Sequence, residues 1–244
     1  MIKMNESKLN KKNCLITGAT GGIGREISIQ LAEKHYNLFL TGRDKHKLES
    51  LKKLLIEKNP GLIVKYLEGD LTNLNDLKKI ISSVRSIFQN IDILINSAGV
   101  FMISSISEYD IDDYSNSFNL NVRAPFALSK EFASDMIEKK WGRIINLGSS
   151  SSYVGFENGS LYCSTKFALL GLSRSLHAEL KKYNIRVCCI SPGSTKTEMA
   201  KISSDQNFDT FLDPKEVAEF ILFIISFDNE MVIDETRLNR MIIE

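Results

Sequence analysis

The chain is poor in the residues that mark specialised sites. Its 244 residues include three histidines, four cysteines, four prolines and one tryptophan. His35, His46 and His177 stand in separate segments without H-x-x-x-H spacing, so no metal site is expected. Cys14, Cys163, Cys188 and Cys189 lack C-x-x-C spacing. They read as buried free thiols, and the expected setting is a reducing cytoplasm. Charge of either sign is not in excess: 31 basic residues meet 30 acidic ones, for a net +1. That leaves no field to draw in nucleic acid or an anionic membrane. A run of about 18 apolar residues, the length of a membrane-spanning helix, is missing. Met1–Lys12 is polar, with lysines at 3, 8, 11 and 12, and is not expected to act as a secretory signal. Repeats, linkers and low-complexity tracts are absent too, apart from the short run Ser149–Ser152.

What the chain does have is 43% apolar residues, enough for a sizeable core. Short apolar runs at Asn13–Thr17, Leu38–Thr41, Leu62–Leu67, Ile91–Asn96, Arg143–Leu147, Arg186–Ile190 and Met231–Leu238 read as strands. Segments of helical period lie between them: Ile23–Lys34, Lys45–Lys58, Leu74–Phe88, Ile111–Lys139, Tyr162–Lys182 and Pro214–Phe227. Strands apolar on both faces and separated by helices predict a doubly wound α/β fold, with a parallel sheet of about seven strands and helices on both faces. One domain over residues 1–244 is expected, with a small substrate lid around 194–213.

Between the first strand and its helix lies Thr17-Gly18-Ala19-Thr20-Gly21-Gly22-Ile23-Gly24. Glycines there let the backbone turn sharply, and the following helix presents unpaired N–H groups to a diphosphate. The spacing is G-x-x-x-G-x-G, not the commoner G-x-G-x-x-G. The second strand ends Leu40-Thr41-Gly42-Arg43-Asp44. An acid at this place would hold the ribose 2′-hydroxyl of NAD(H). Gly42 occupies it instead, and the Arg43 guanidinium suits a 2′-phosphate. NADP(H) is therefore the preferred cofactor. NAD(H), with Asp44 on the ribose, is the alternative.

Tyr162-Cys163-Ser164-Thr165-Lys166 places a phenol and an ammonium on one helical face. A free tyrosine, with a pKa of about 10, is a poor acid–base group at neutrality. A neighbouring ammonium favours the phenolate, so the expected shift is downward. Such a tyrosine can protonate a carbonyl oxygen as hydride reaches the carbon. Ser149 ends the fifth strand, where open α/β sheets bind ligands. It sits thirteen residues before Tyr162. No G-x-S-x-G accompanies the serine run, so a hydrolase nucleophile is not indicated.

In this order and spacing the chain resembles the single-domain, Rossmann-like short-chain dehydrogenases/reductases over nearly its whole length. The matching stretches are the glycine turn, Asp70-Leu71, Asn96-Ser97-Ala98-Gly99, Asn121, Ser149, Tyr162 with Lys166, and Pro192-Gly193-Ser194-Thr195-Lys196-Thr197. The resemblance implies a catalytic set of Asn121, Ser149, Tyr162 and Lys166. Tyr162 would be the acid in reduction and the base in oxidation. Ser149 would hold the substrate oxygen, and Asn121 would position a water that joins Lys166 to solvent. Cofactor contacts are implied for Gly18, Thr20, Gly21, Gly22, Ile23, Arg43, Asp70, Leu71, Asn96, Ala98, Gly99, Tyr162, Lys166, Pro192, Gly193, Thr195 and Thr197. A homodimer or homotetramer through the long helices is implied as well. There are departures. Ser97 replaces the commoner second Asn, and the serine run leaves the catalytic serine open to a shift by one. No glycine follows Gly193, so the Gly-Gly ending of many 3-oxoacyl-carrier-protein reductases is missing.

The expected substrate is a small, partly apolar carbonyl compound or alcohol, bounded by Val100–Asp110, Ser151–Gly159 and Ser194–Asp213. Phe101, Met102, Phe156, Met199, Ile202, Phe208 and Phe211 are candidate walls. An NAD(H)-dependent alcohol dehydrogenase and a non-catalytic dinucleotide sensor are the rival readings.

Overall fold

The computed structural model describes residues 12–202 and 206–241. The polar N-terminus, apart from Lys12, and residues 203–205 of the expected lid lie outside the described residues. In chain order the elements are β1 (Asn13–Thr17), α1 (Gly22–Glu33), β2 (Asn37–Gly42), α2 (Lys45–Lys58), β3 (Val64–Glu68), α3 (Leu74–Phe88) and β4 (Ile93–Asn96). Then come α4 (Ile111–Phe118), α5 (Ala124–Lys139), β5 (Gly142–Leu147), α6 (Ser160–Leu180), β6 (Ile185–Pro192), α7 (Pro214–Ser226) and β7 (Glu235–Leu238).

The strands form one parallel sheet in the order β3-β2-β1-β4-β5-β6-β7. Successive side chains point to opposite faces, and both faces are covered. Ile16, Ile93, Ile95 and Ile145 pack with residues of α1, α2 and α7. Leu15, Leu94 and Ile144 pack with α3, α5 and α6. Each such side chain, fully buried, stabilises the fold by about 1.5–3 kcal/mol. The strand order reverses between β1 and β4, where Thr17 pairs with Asn96. At such a switch point a crevice opens at the carboxyl ends of the strands.

Two expectations about elements need correction. The helical pattern over Ile111–Lys139 is broken at Asn119–Arg123 by a π turn. A π turn closes i→i+5 bonds and inserts a residue without changing polarity, so the apolar period reads straight through it. The last strand begins at Glu235, and Met231 and Val232 are exposed ahead of it. By contrast, α2 and α3 have the bounds their sequences predict, set by Asp44 and Asn73 at their N-termini. All four cysteines are buried and free. No helix among the described residues is long and apolar enough to cross a membrane.

Candidate active site

The site starts at the turn after β1. Gly18 has φ +61°, and a Cβ there would lie 2.7 Å from the Ala98 backbone nitrogen. Only glycine allows both the left-handed backbone and this approach. The Thr17 hydroxyl accepts the N–H groups of Ser97 and Ala98, each at 3.1 Å, which locks the turn to the loop after β4. Helix α1 then begins with Gly21 at its N-cap, no capping side chain and no acid in its first turn. Helices α2, α3, α4 and α7 are capped by Asp44, Asn73, Asp110 and Asp213. The first N–H groups of α1 are thus left for something else. The loop after β6 comes down on this turn. The Thr197 side chain occupies the space a Cβ on Gly22 would need. Thr195 pairs with Leu212, and Gly193 N–H donates to the Leu238 carbonyl at 2.8 Å.

At the end of β2, Arg43 is exposed. Asp44 accepts the Lys47 N–H at 3.0 Å, and the helix start holds its carboxyl below the usual range. The Thr20 hydroxyl faces Gly42. Asp70 accepts from Thr72 N–H at 2.8 Å, and Leu71 is buried in the core.

The chemical groups gather at the ends of β4 and β5. The buried Asn96 amide donates to the Asn146 side chain at 2.8 Å, which donates to the Ser173 hydroxyl at 2.9 Å. Asn121, 1% exposed, sits in the π turn. Its amide donates to the Val100 carbonyl (3.0 Å) and the Thr165 hydroxyl (2.9 Å), and its oxygen accepts the Val100 N–H (2.9 Å). Thr165 in turn donates to the Tyr162 carbonyl at 2.8 Å. Lys166 is 6% exposed, and its ammonium donates to the Leu147 carbonyl at 2.7 Å. A Cβ on Gly99 would lie 3.2 Å from Asn121 Oδ1 and 3.8 Å from Lys166 Nζ, so both converge on that glycine.

The Ser149 side chain lies beside the Tyr162 phenol, and the Lys166 ammonium lies 5.6 Å from the ring centroid. Of the serine run, Ser149 is the residue that acts on the phenol's acidity. Ser152 Oγ accepts the Ser149 N–H, and Ser151 N–H donates to Ser149 Oγ. The expected downward shift of the phenol is not found. Burial pushes Tyr162 up to about 12, and the neighbouring Ser149 opposes that only in part. Burial also pulls Lys166 down to about 8. Each group is driven toward its neutral form by the same loss of water.

Two residues of this frame escaped the sequence reading. Thr165 stands inside the Tyr162–Lys166 spacing, but nothing marks it as the acceptor for Asn121. Tyr109, which ties two loops beside Tyr162, carries no sequence signal at all. Among the candidate walls, Phe211 is buried beneath the Arg240 guanidinium and packs on Phe208.

The sequence profile of short chain dehydrogenases matches residues 12–207. The chain belongs to the short chain dehydrogenase family. An uncharacterized oxidoreductase of Staphylococcus aureus is 29% identical over 227 residues, covering 93% of this chain and 96% of the relative. L-Sorbose reductase from Gluconobacter frateurii, crystallised with NADPH and L-sorbose, superposes with a TM-score of 0.85 at 27% identity, over 94% of this chain and 95% of that one. A short-chain dehydrogenase from Sphingobium yanoikuyae in complex with NADPH gives 0.83 at 27% identity, over 93% and 87%. This short-chain dehydrogenase is an NAD(P)-dependent oxidoreductase. Its own residues fit the cofactor: the uncapped N-terminus of α1 and the side-chain-free surface at Gly18 form a cradle for a diphosphate.

Proposed function

We propose that this enzyme interconverts small, partly apolar carbonyl compounds and their alcohols with NADP(H), Tyr162 handling the proton. One observation carries the reading: the Ser149 side chain lies beside the Tyr162 phenol, and the buried Lys166 ammonium lies 5.6 Å from that ring's centroid, at the carboxyl end of β5. A nicotinamide dinucleotide, when bound, supplies or accepts the hydride.

Gly18, Thr20, Gly21, Gly22 and Ile23 would hold its diphosphate, and Asp70 and Leu71 would flank the adenine. Asn96, Ala98, Gly99, Pro192, Gly193, Thr195 and Thr197 would surround the nicotinamide half, with Lys166 on the adjoining ribose. Ser149 holds the substrate oxygen. Tyr162, kept neutral by burial, gives its proton to that oxygen as negative charge develops there. Lys166, with a pKa of about 8, is cationic at neutral pH and stabilises the phenolate left behind. In oxidation the phenolate takes the proton back. Both ends of the Asn121 side chain are held by Val100 and Thr165, so a proton path from Lys166 to solvent runs past its backbone rather than its amide.

NADP(H) over NAD(H) is supported by the exposed Arg43 and by Asp44, whose carboxylate is engaged at the start of α2. Both solved relatives described above were crystallised with NADPH. The Thr195–Leu212 pairing supports a lid over 194–213. Phe126 and Phe167, exposed on α5 and α6, fit a homodimer or homotetramer built on those helices.

The test is NADPH consumption over aldehydes, ketones and ketoses, run beside Tyr162→Phe. Turnover that survives the substitution within about tenfold contradicts the mechanism, because a positioned acid contributes roughly 10²–10⁴ in rate. Tight NADPH binding with no turnover on any carbonyl would instead favour a dinucleotide sensor.

A further inference from the structure

Resting on this assignment of Tyr162, we propose that Phe101 and Phe156 form a prebuilt aromatic wall that selects carbonyls bearing an aryl or bulky apolar group, Phe101 being the specificity-determining residue. The Phe101 ring stands edge-on to the Tyr162 ring, with centroids 4.6 Å apart and planes at 75°. Phe156 follows at 6.3 Å from Phe101.

Phe156 is 43% exposed, yet its place is fixed. Its ring fills the space where a Cβ on Gly159 would stand, and its carbonyl accepts the Gly159 N–H at 3.1 Å. The loops carrying the two rings are tied together. Asn158 holds a left-handed backbone at φ +60°, which asparagine tolerates better than most residues. Its carbonyl accepts the Ser104 N–H at 3.0 Å and faces the Tyr109 hydroxyl at 3.1 Å. That hydroxyl also lies 3.1 Å from the Met102 carbonyl and accepts the Ser104 N–H at 3.0 Å. Tyr109 is thus the positioning residue of the wall.

The chemistry of the selected group follows. These backbone polar groups bond to each other, and the rings beside the phenol offer apolar area. An aryl group gains from ring-to-ring contact and releases water from that area. A polyhydroxylated chain would leave hydroxyls against rings with nothing to bond.

The experiment compares benzaldehyde with glyceraldehyde, using the full chain and NADPH. The expected result is a higher kcat/KM for benzaldehyde. Phe101→Ala should raise the benzaldehyde KM by about tenfold, the scale of a lost apolar contact in a pocket, and lower the ratio of kcat/KM for benzaldehyde to that for glyceraldehyde. Tyr109→Phe should move the same KM in the same direction by less. Thermal melts identify variants that are folded. A wild type that prefers glyceraldehyde overturns the proposal, as does a folded Phe101→Ala with an unchanged benzaldehyde KM. Calorimetric binding of benzyl alcohol to the NADP⁺-loaded protein reads the wall without turnover. If that binding needs Phe101 but Tyr162→Phe still turns over, the assigned acid falls and the wall stands. If turnover needs Tyr162 but binding ignores Phe101, the wall falls alone.

Discussion

The two edges of the sheet bury polar groups in opposite ways. At the amino edge, the Arg143 guanidinium is wholly buried. It donates to the carbonyls of Gly142 (2.8 Å) and Phe227 (3.0 Å) and to Asp228 (2.9 Å), and lies 4.3 Å from the Trp141 ring centroid. Beside it, Asp92 takes the Asn13 N–H and the Lys139 ammonium. At the carboxyl edge, Lys166 is nearly as buried, but Leu147 is its one protein acceptor among the described residues. Helix α1 is uncapped there, and Arg43 is open to solvent. Desolvation lowers both buried cations, Arg143 to about 10 and Lys166 to about 8. The difference is what surrounds them. Donors satisfied by the protein hold the fold, while donors left over are available to ligands.

The largest effect that would sharpen this contrast is at Tyr162. Tyr162→Phe should lower kcat by about 10²–10⁴. The melting temperature should hold, because the ring remains and only the phenol oxygen is lost. Arg143→Met should do the reverse. It leaves the carbonyls of Gly142, Asn184, Ile225 and Phe227 without this donor, and urea unfolding should register a loss of about 3 kcal/mol, with kcat per folded molecule unchanged. An Arg143→Met protein that unfolds normally but turns over slowly would erase the division between the edges.

The same contrast explains what could be read from the sequence. The inner strands are legible because burial on both faces writes them as continuous apolar runs, as in Ile93-Leu94-Ile95. Helices α2 and α3 were legible to the residue because Asp44 and Asn73 cap them. Tyr162 and Lys166 were legible as a pair one turn apart. The π turn was not, since it leaves no mark on polarity. Nor was the frame around Asn121, whose bonds reach Val100 and Thr165 across 21 and 44 positions. The direction of the phenol shift is not legible for a related reason. Spacing reveals the neighbouring lysine, but only packing reveals how dry the pair is.

That dryness makes Lys166 a cost to the fold at neutral pH. Its pKa is about 8 in the folded protein, against an ordinary 10.5. The folded state thus binds fewer protons than the unfolded state between those values, and stability rises with pH across the window. Lys166→Met should therefore be more stable than wild type at pH 7 by about 2 kcal/mol, at 1.36 kcal/mol per unit less the lost bond to Leu147. The advantage should shrink from pH 8 and be gone before 10.5, since the lost bond to Leu147 counts against the variant throughout. Activity should be lost throughout. A destabilised Lys166→Met would place this lysine with Arg143 among the groups that hold the fold.

The smallest effect belongs to Arg43, the most exposed of these cations. It is exposed beside the end of β2, so removing its side chain opens no cavity. Arg43→Ala should leave the melting temperature and the NADH affinity where they are. The NADPH dissociation constant should rise by about tenfold, or ~1.4 kcal/mol, at the low end for a hydrogen bond to a charged group because solvent screens the pair. Added salt should weaken NADPH binding by wild type more than by the variant, since only wild type keeps the pairing that ions screen. Equal losses for NADPH and NADH would mean that Arg43 shapes the adenosine end of the site rather than reading a phosphate, and the preference would pass to Asp44 and NAD(H).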